Sequence, residues 1–296
     1  KYEFWYHHLK TLHHHNVPLF LISGTFRTDQ PFFKWYGSTH RAMLSTFAHL
    51  FVQDEKSRSL LASLGKTNVT VAGDTRFDRV AEIAANDPGL PIAKAWKGDG
   101  PLLICGSTWP ADEELIVAAI GKNKLVVVPH ELSETHLKQI ETRSPKPLVR
   151  WSELEDSPIQ SVTEILGKER SGTLLVDRMG LLARLYAYAD IVYIGGGFGD
   201  GIHSLLEAVA WGKPVIFGPN HRKFVEAEAL IDAGAGFEVR TSAELQKVLE
   251  RLNGDPKELQ AASAIASTYV QNNVGATAKI IAFILPLLVH EQINPS

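Results

Sequence analysis

At 296 residues the chain is long enough for two domains of ordinary size. Its composition, 45% hydrophobic and 21% charged, is that of a globular protein, and a net charge of −3 with an isoelectric point near 6.5 gives no support to nucleic-acid binding. The single cysteine, Cys105, excludes an internal disulfide; at the end of an apolar run it reads as a small core residue, not a catalytic thiol.

The chain opens at Lys1-Tyr-Glu-Phe-Trp5 with no initiator Met, so a longer parent protein is expected. His7-His8 and His13-His14-His15 come next. Successive residues on a helix point about 100° apart, so these rings cannot converge on one ion and are expected on a helix surface. Val17–Ser23, Phe47–Val52 and Val69–Ala72 are the first strand-like runs. Between the first two lies Gln30-Pro-Phe-Phe-Lys-Trp-Tyr36, whose four aromatic residues cannot share one helix face, so some are expected at the surface. Beside Lys34 and Arg41 they would suit a membrane interface, acyl chains or a further packed segment.

Turn formers at 86–91 and 96–101 then break the pattern, and a second, longer series of strands begins. It comprises Leu102–Cys105, Leu125–Val128, Leu148–Trp151, Thr173–Val176, Ile191–Ile194, Val215–Phe217 and Phe237–Val239. Amphipathic helices, for example Asp112–Ile120 and Leu181–Ala189, sit between most of them. This alternation predicts parallel sheets covered by helices on both faces. The division expected is 1–90 for a first, incomplete nucleotide-binding-type domain, 91–268 for a complete one, and 269–296 for a helix returning to the first. The longest apolar run, Ile280–Val289, has ten residues and contains Pro286, whereas a spanning helix needs about 20. No signal peptide is recognisable.

In open parallel sheets ligands bind beyond the carboxyl ends of strands, so strand-end residues are the first candidates. The most informative is the run Tyr193-Ile-Gly-Gly-Gly-Phe-Gly-Asp-Gly-Ile-His-Ser-Leu-Leu-Glu-Ala208, with five glycines after a buried strand. No register of it satisfies the dinucleotide fingerprint G-x-G-x-x-G. A helix starting near Ile202 would point its N-terminus at the same space and favour a phosphate, with Gly199 and Gly201 in the loop. On that helix His203 and Glu207 would share a face, and the carboxylate of Glu207 would suit a ribose diol. Pro129-His130-Glu131, the loop from Asp177 through Met179, Gly180 and Leu181, and Gly218-Pro219-Asn220 end neighbouring strands. From the first half come Glu3, Arg27 and the motif Gly73-Asp-Thr-Arg-Phe-Asp78, in which Arg76 could neutralise an anionic donor or simply pair with Asp74 or Asp78. No ligand spacing calls for a metal, and no cofactor is expected.

Ordered matches at 1–6, 23–36, 51–57, 73–79, 106–110, 128–131 and the glycine loop resemble the family of transferases that attach 3-deoxy-D-manno-octulosonic acid (Kdo) to lipid A precursor in Gram-negative bacteria. The resemblance implies an α/β fold of GT-B type with two Rossmann-like domains, the N-terminal one incomplete here. It implies inverting, metal-independent transfer of Kdo from CMP-Kdo in lipopolysaccharide biosynthesis, at the cytoplasmic face of the inner membrane. By the same resemblance Pro129, His130, Met179, Gly180, Leu181, Ser204, Leu205, Leu206 and Glu207 would contact CMP, and Glu3 and Arg76 would support the transition state. Ser204 stands where the family usually has Asn. The family's general-base glutamate and membrane-anchoring segment precede the matched region, so this chain alone is expected to be nearly inactive. Rival readings are a UDP-sugar-dependent GT-B enzyme and a non-catalytic nucleotide-binding module.

Overall fold

The computed structural model describes residues 4–121, 123–155 and 172–293. The chain divides into two compact units, one of residues 1–79 with 273–296 and one of residues 80–272.

The second unit is built on a seven-stranded sheet, all of whose neighbours pair in parallel. Its strands are β4 (Leu102–Thr108), β5 (Lys124–Pro129), β6 (Leu148–Arg150), β7 (Gly172–Leu175), β8 (Ile191–Ile194), β9 (Val215–Phe217) and β10 (Gly236–Glu238), in the order β10-β9-β8-β4-β5-β7-β6. β5, β7, β8 and β9 are buried along their whole length. That is why they read as continuous apolar runs: a parallel strand covered by helices on both faces has no polar side to show. Cys105 lies at the centre, in register with Val127 of β5 and Tyr193 of β8, and packs in the main core with Leu103, Ile116, Leu175 and Ile216. Burial raises its thiol well above the ordinary range, as befits a core residue.

Strand order fixes where a ligand could bind. β4 is the first strand of this sheet in sequence and lies inside it; the chain then lays β5, β6 and β7 on one side and β8, β9 and β10 on the other. The connections therefore diverge between β4 and β8, the topological switch point at whose carboxyl edge a crevice opens. Two local readings are revised. Trp151 is buried at the start of a short helix, Trp151–Glu155, and β6 stops at Arg150. The helix read over 181–189 is a single α-turn, Leu182–Leu185, continued by a 3-10 turn, Tyr186–Tyr188.

The first unit holds a three-stranded parallel sheet, β1 (Phe20–Gly24), β2 (His49–Val52) and β3 (Val69–Val71), in that order. Its core is aromatic: Phe32 meets Phe4 at 5.5 Å and Phe26 at 5.7 Å between ring centroids, close to Leu44, Leu50 and Leu61. The segment 30–36 splits as its spacing requires. Phe32 is buried, whereas Trp35 is 91% exposed and Tyr36 57%. Arg41 Nη1 donates to the carbonyls of Phe32 and Lys34 at 3.1 and 2.8 Å and so fixes the turn between them. His7, His8, His13 and His14 lie exposed on the helix Tyr6–His14, with His15 exposed at its end.

The tail is two helices, Pro256–Gln271 and Ala276–Ile293, and the second packs in the first unit. Ile280 is buried beside Phe51 and Ala72, and Phe283 lies 4.2 Å from the ring of His49. Among the described residues no helix is long and apolar enough to cross a membrane.

Asp78 secures this return. Its carboxylate accepts from the backbone N–H groups of Gly275 at 2.5 Å and Thr277 at 2.7 Å, at the start of the last helix. Burial pushes its pKa up, but those two bonds prevail and hold it below the ordinary aspartate value of 3.8. Asp78→Ala should destabilise the first unit by about 1 kcal/mol, the usual worth of a helix cap. Amide hydrogen exchange along 276–287 should rise more than elsewhere. Because the carboxyl pKa is depressed, this contribution is complete above pH 3.8 and is lost as the pH falls below it. Unchanged exchange in the variant would refute the assignment.

Candidate functional site

Every strand of the seven-stranded sheet points the same way, so the loops after β4, β5, β7, β8 and β9 leave one edge. The loops after β4 and β8 meet at the switch point through Asp112, which is 1% exposed in the first turn of the helix Pro110–Ala119. Its Oδ2 accepts from the backbone N–H of Gly196 at 2.9 Å and of Trp109 at 3.0 Å, and its Oδ1 from the hydroxyl of Tyr193 at 2.8 Å. One carboxylate thus joins the end of β8, the glycine loop and the loop after β4.

The glycines at 195, 196 and 197 serve this junction. A Cβ on Gly195 would stand 2.2 Å from the carbonyl oxygen of Ser107, and one on Gly197 2.5 Å from the amide nitrogen of Gly218. Gly196 has φ +92°, and its Cβ would stand 2.5 Å from the carbonyl oxygen of Gly201. The space freed by these three glycines is filled by neighbouring backbone, so they let three loops stack. Gly199, by contrast, is exposed, and Gly201 takes φ +141°.

The helix after the glycine loop does not start near Ile202. It runs from Leu206 to Ala210. The N–H of Ile202 is bound to the carbonyl of Asn220 at 3.3 Å and that of His203 to the carbonyl of Gly195 at 3.1 Å, so these two amides are held by partners outside a helical turn and 202–205 stays loop. His203 and Glu207 therefore do not share a helix face. Glu207 lies in the first helical turn, half-buried, and burial raises its pKa. The N–H groups of Ile202 and His203, expected to face a phosphate, are committed within the protein.

What does converge is a ring cluster. His130, following β5, stacks on His203 at 4.4 Å and on Trp109 at 4.8 Å between centroids. Trp109 Nε1 donates to His203 Nε2 at 3.2 Å, which assigns the neutral ring's proton to Nδ1. Burial first, then the adjacent His130, lowers the pKa of His203, and Asp112 opposes them in part. Trp109, within the matched motif 106–110, and Asp112, read only as the start of a helix, were given no site role from sequence. The signal for them was present in Thr108-Trp-Pro-Ala-Asp112, a strand end followed by Pro at the first helical position and an acid two residues later.

The other candidates are placed as follows. Pro129 is buried, and the N–H of His130 is held by the carbonyl of Thr108 at 3.0 Å. Met179 is 80% exposed, Gly180 has φ +83°, and Leu181 is half-buried at the start of the next turn. Their loop is anchored by Asp177, which accepts from the N–H of Ser152 at 3.0 Å and from its hydroxyl at 2.6 Å. Ser204 is exposed; Leu205 and Leu206 are each 2% exposed and belong to the core. In the first unit Arg76 pairs with Asp74, its Nε and Nη2 2.8 and 2.6 Å from Oδ2, which is one of the two pairings open from sequence. Asp78 takes no part in it. Glu3 lies outside the described residues.

Residues 1–79 match the family model described as 3-Deoxy-D-manno-octulosonic-acid transferase (kdotransferase). A 3-deoxy-D-manno-octulosonic acid transferase of Bordetella pertussis is 26% identical over 300 residues, covering 94% of this chain and 66% of its own length. A bifunctional glycosyltransferase/methyltransferase of Fusobacterium nucleatum is 26% identical over 263 residues, covering 86% of this chain and 40% of its own. Among solved structures, the C-terminal CMP-Kdo binding domain of WaaA from Acinetobacter baumannii superposes with a TM-score of 0.51 at 19% identity, over 65% of this chain and 98% of that one. A UDP-N-acetylglucosamine 2-epimerase superposes with a TM-score of 0.59 at 15% identity, over 98% of this chain and 71% of that one. The chain is thus similar to the Kdo transferases and has an α/β fold of GT-B type, and it spans 40% and 66% of the length of the two curated proteins named.

Two outcomes follow from this geometry. Asp112→Ala leaves buried donors on Gly196 and Tyr193 and a half-buried one on Trp109 without this partner and should cost about 3 kcal/mol or more in urea denaturation; a loss within about 0.5 kcal/mol, the range of ordinary surface substitutions, would show that the junction does not depend on it. For His203, an NMR titration should place the pKa below the ordinary 6.5. Since the folded state prefers the neutral ring, its contribution is complete above pH 6.5 and declines as the pH falls through that value. A titration point at or above 6.5 would contradict the burial of the ring beside His130.

Proposed function

We propose that the seven-stranded unit binds CMP-Kdo and that the protein represented by this chain transfers Kdo to lipid A precursor, at the cytoplasmic face of the inner membrane. The observation that carries this reading is the ring cluster of Trp109, His130 and His203 at the switch point, beside the glycine loop, with the half-buried Glu207 four residues beyond His203 in sequence. Aromatic and imidazole faces offer a flat surface to a base or ribose, and a half-buried carboxylate accepts hydrogen bonds from a diol. The related Kdo transferases and the superposition on a CMP-Kdo binding domain support the choice of nucleotide. In this reading Pro129, His130 and the loop Met179–Leu181 line the nucleoside, Gly199, Gly201, His203 and Ser204 border the phosphate, and Glu207 takes the ribose. Leu205 and Leu206, being core residues, serve through their backbone.

The reaction proposed is inverting substitution. A hydroxyl of the acceptor sugar attacks the anomeric carbon of Kdo, the bond from that carbon to the phosphate oxygen breaks, and CMP leaves with the electron pair. Charge grows on the departing phosphate, and hydrogen-bond donors placed where Gly199, Gly201, His203 and Ser204 border it would lower the barrier without a divalent metal. Arg76 and Glu3 are proposed to support the transition state. No residue of this chain is assigned as the base that takes the acceptor proton, and base catalysis is worth about 10²–10⁴-fold. We therefore propose that the 296-residue chain binds donor but transfers slowly; transfer at the rate of a full-length relative would refute this.

Calorimetric titration with CMP and UMP, with and without magnesium, tests the donor assignment. Tighter binding of CMP, independent of magnesium, is expected. Glu207→Gln should weaken CMP about tenfold, the worth of a hydrogen bond to a charged group. Because the Glu207 pKa is raised above 4.5, CMP affinity should begin to fall at a higher pH than for an ordinary glutamate. Preference for UMP would favour a UDP-sugar enzyme instead, and CMP binding without transfer in a protein of the relatives' full length would favour a non-catalytic binding module.

A further inference from the structure

Beyond the glycine loop, on the side away from β4, an open cavity of about 600 Å³ lies between the end of that loop and the connection after β9. Gly199 and Asp200 form one wall; Asn220, Arg222, Lys223 and Arg240 form much of the rest. Three cations thus face one carboxylate. Arg240 is held by Glu238, whose Oε1 accepts from its Nε and Nη2 at 2.7 Å each. Arg222 and Lys223 are exposed and form no ion pair among the described residues. Two positive side chains therefore line the cavity with no ion-pair partner among the described residues.

The wall that carries them is fixed. His221 is buried, its Nε2 is 2.6 Å from Glu238 Oε2, and its Nδ1 lies 3.2 Å from Glu228 Oε1. Glu238 is thereby shared between His221 and Arg240, and these bonds hold its carboxyl below the usual range. Asn220 ties the same segment to the glycine loop, donating from Nδ2 to the carbonyl of Gly199 at 2.8 Å and from its backbone N–H to Gly197 at 2.9 Å. A group bound between Arg222 and Lys223 would sit next to whatever the glycine loop holds.

We propose that this cavity seats the carboxylate of the sugar acid carried by the nucleotide, with Arg222 and Lys223 as its ligands and Asp200 accepting from sugar hydroxyls. This rests on the reading that the unit binds a CMP-linked sugar acid, and it names the part of the protein that selects an acidic over a neutral sugar. Arg222 offers a planar pair of donors matched to a carboxylate, and Lys223 adds a point charge. Asp200 disfavours a second anion in the same place, which suits a polyol bearing a single acid.

The test compares CMP with CMP-Kdo on the 296-residue chain and on R222A/K223A. Calorimetry should show CMP-Kdo affinity falling about 10–100-fold in the variant, the worth of one or two charge-assisted bonds, with CMP affinity within about threefold of the parent. Retained CMP binding also shows that the variant is folded. The charge-conserving variant R222K/K223R should restore most of the CMP-Kdo affinity. Equal loss for CMP and CMP-Kdo would assign the two cations to the phosphate and overturn the proposal. Unchanged CMP-Kdo affinity would overturn it while leaving the CMP reading intact. If the parent chain binds neither ligand, the CMP reading falls and the carboxylate seat falls with it.

Discussion

The geometry of the candidate site depends on a single buried carboxylate. Asp112 is enclosed in the second unit with three donors converging on it, from the end of β8, from the glycine loop and from the residue that opens its own helix. In a parallel sheet nothing in the ladder joins two strand-end loops to each other, because ladder bonds stop where the strands stop. Asp112 supplies the missing bond at the switch point, where the loops belong to strands far apart in sequence. The ring cluster of Trp109, His130 and His203 is a consequence, since Trp109 and Gly196 are both fixed by the same oxygen.

Much of the architecture was legible because burial writes itself into composition. Ile191–Ile194 and Val215–Phe217 have the same bounds as sequence reading gave them, and the other strands of both sheets differ by a few residues at their ends. A parallel strand with both faces covered has to be apolar throughout, and turn formers have to bound it. The exposed histidines of the first helix and the division of the aromatic segment into buried Phe32 and exposed Trp35 follow from spacing alone.

The site was less legible, for a specific reason. Where a helix begins is decided by which amides find other partners, and those of Ile202 and His203 find Asn220 and Gly195 through the tertiary fold. No local pattern encodes that. Glycine was equally ambiguous: an absent side chain leaves room for ligand or for backbone, and at 195–197 it is backbone that fills it. Arg76 had two partners open to it, and its neighbour Asp74 took it while Asp78 capped a helix almost 200 residues away. Trp109 and Asp112 were given no site role because their importance lies in what crosses from β8, which is invisible along the chain.

The capped helix at 276–293 makes the first unit a discontinuous object, with 193 residues of the other unit inserted between its two pieces (80–272). A ribosome delivers polypeptide from one end only, and domains ordinarily fold in the order in which they emerge. Here that order is inverted. The unit whose strands β1–β3 are made before the seven-stranded unit lacks Ile280 and Phe283 until the segment after residue 272 is out, whereas the residues of the seven-stranded unit are available before that segment. The interval during which Phe51 and Ala72 wait uncovered is therefore set by the time taken to synthesise the inserted unit, and a stop ahead of residue 276 would injure the sheet of β1–β3.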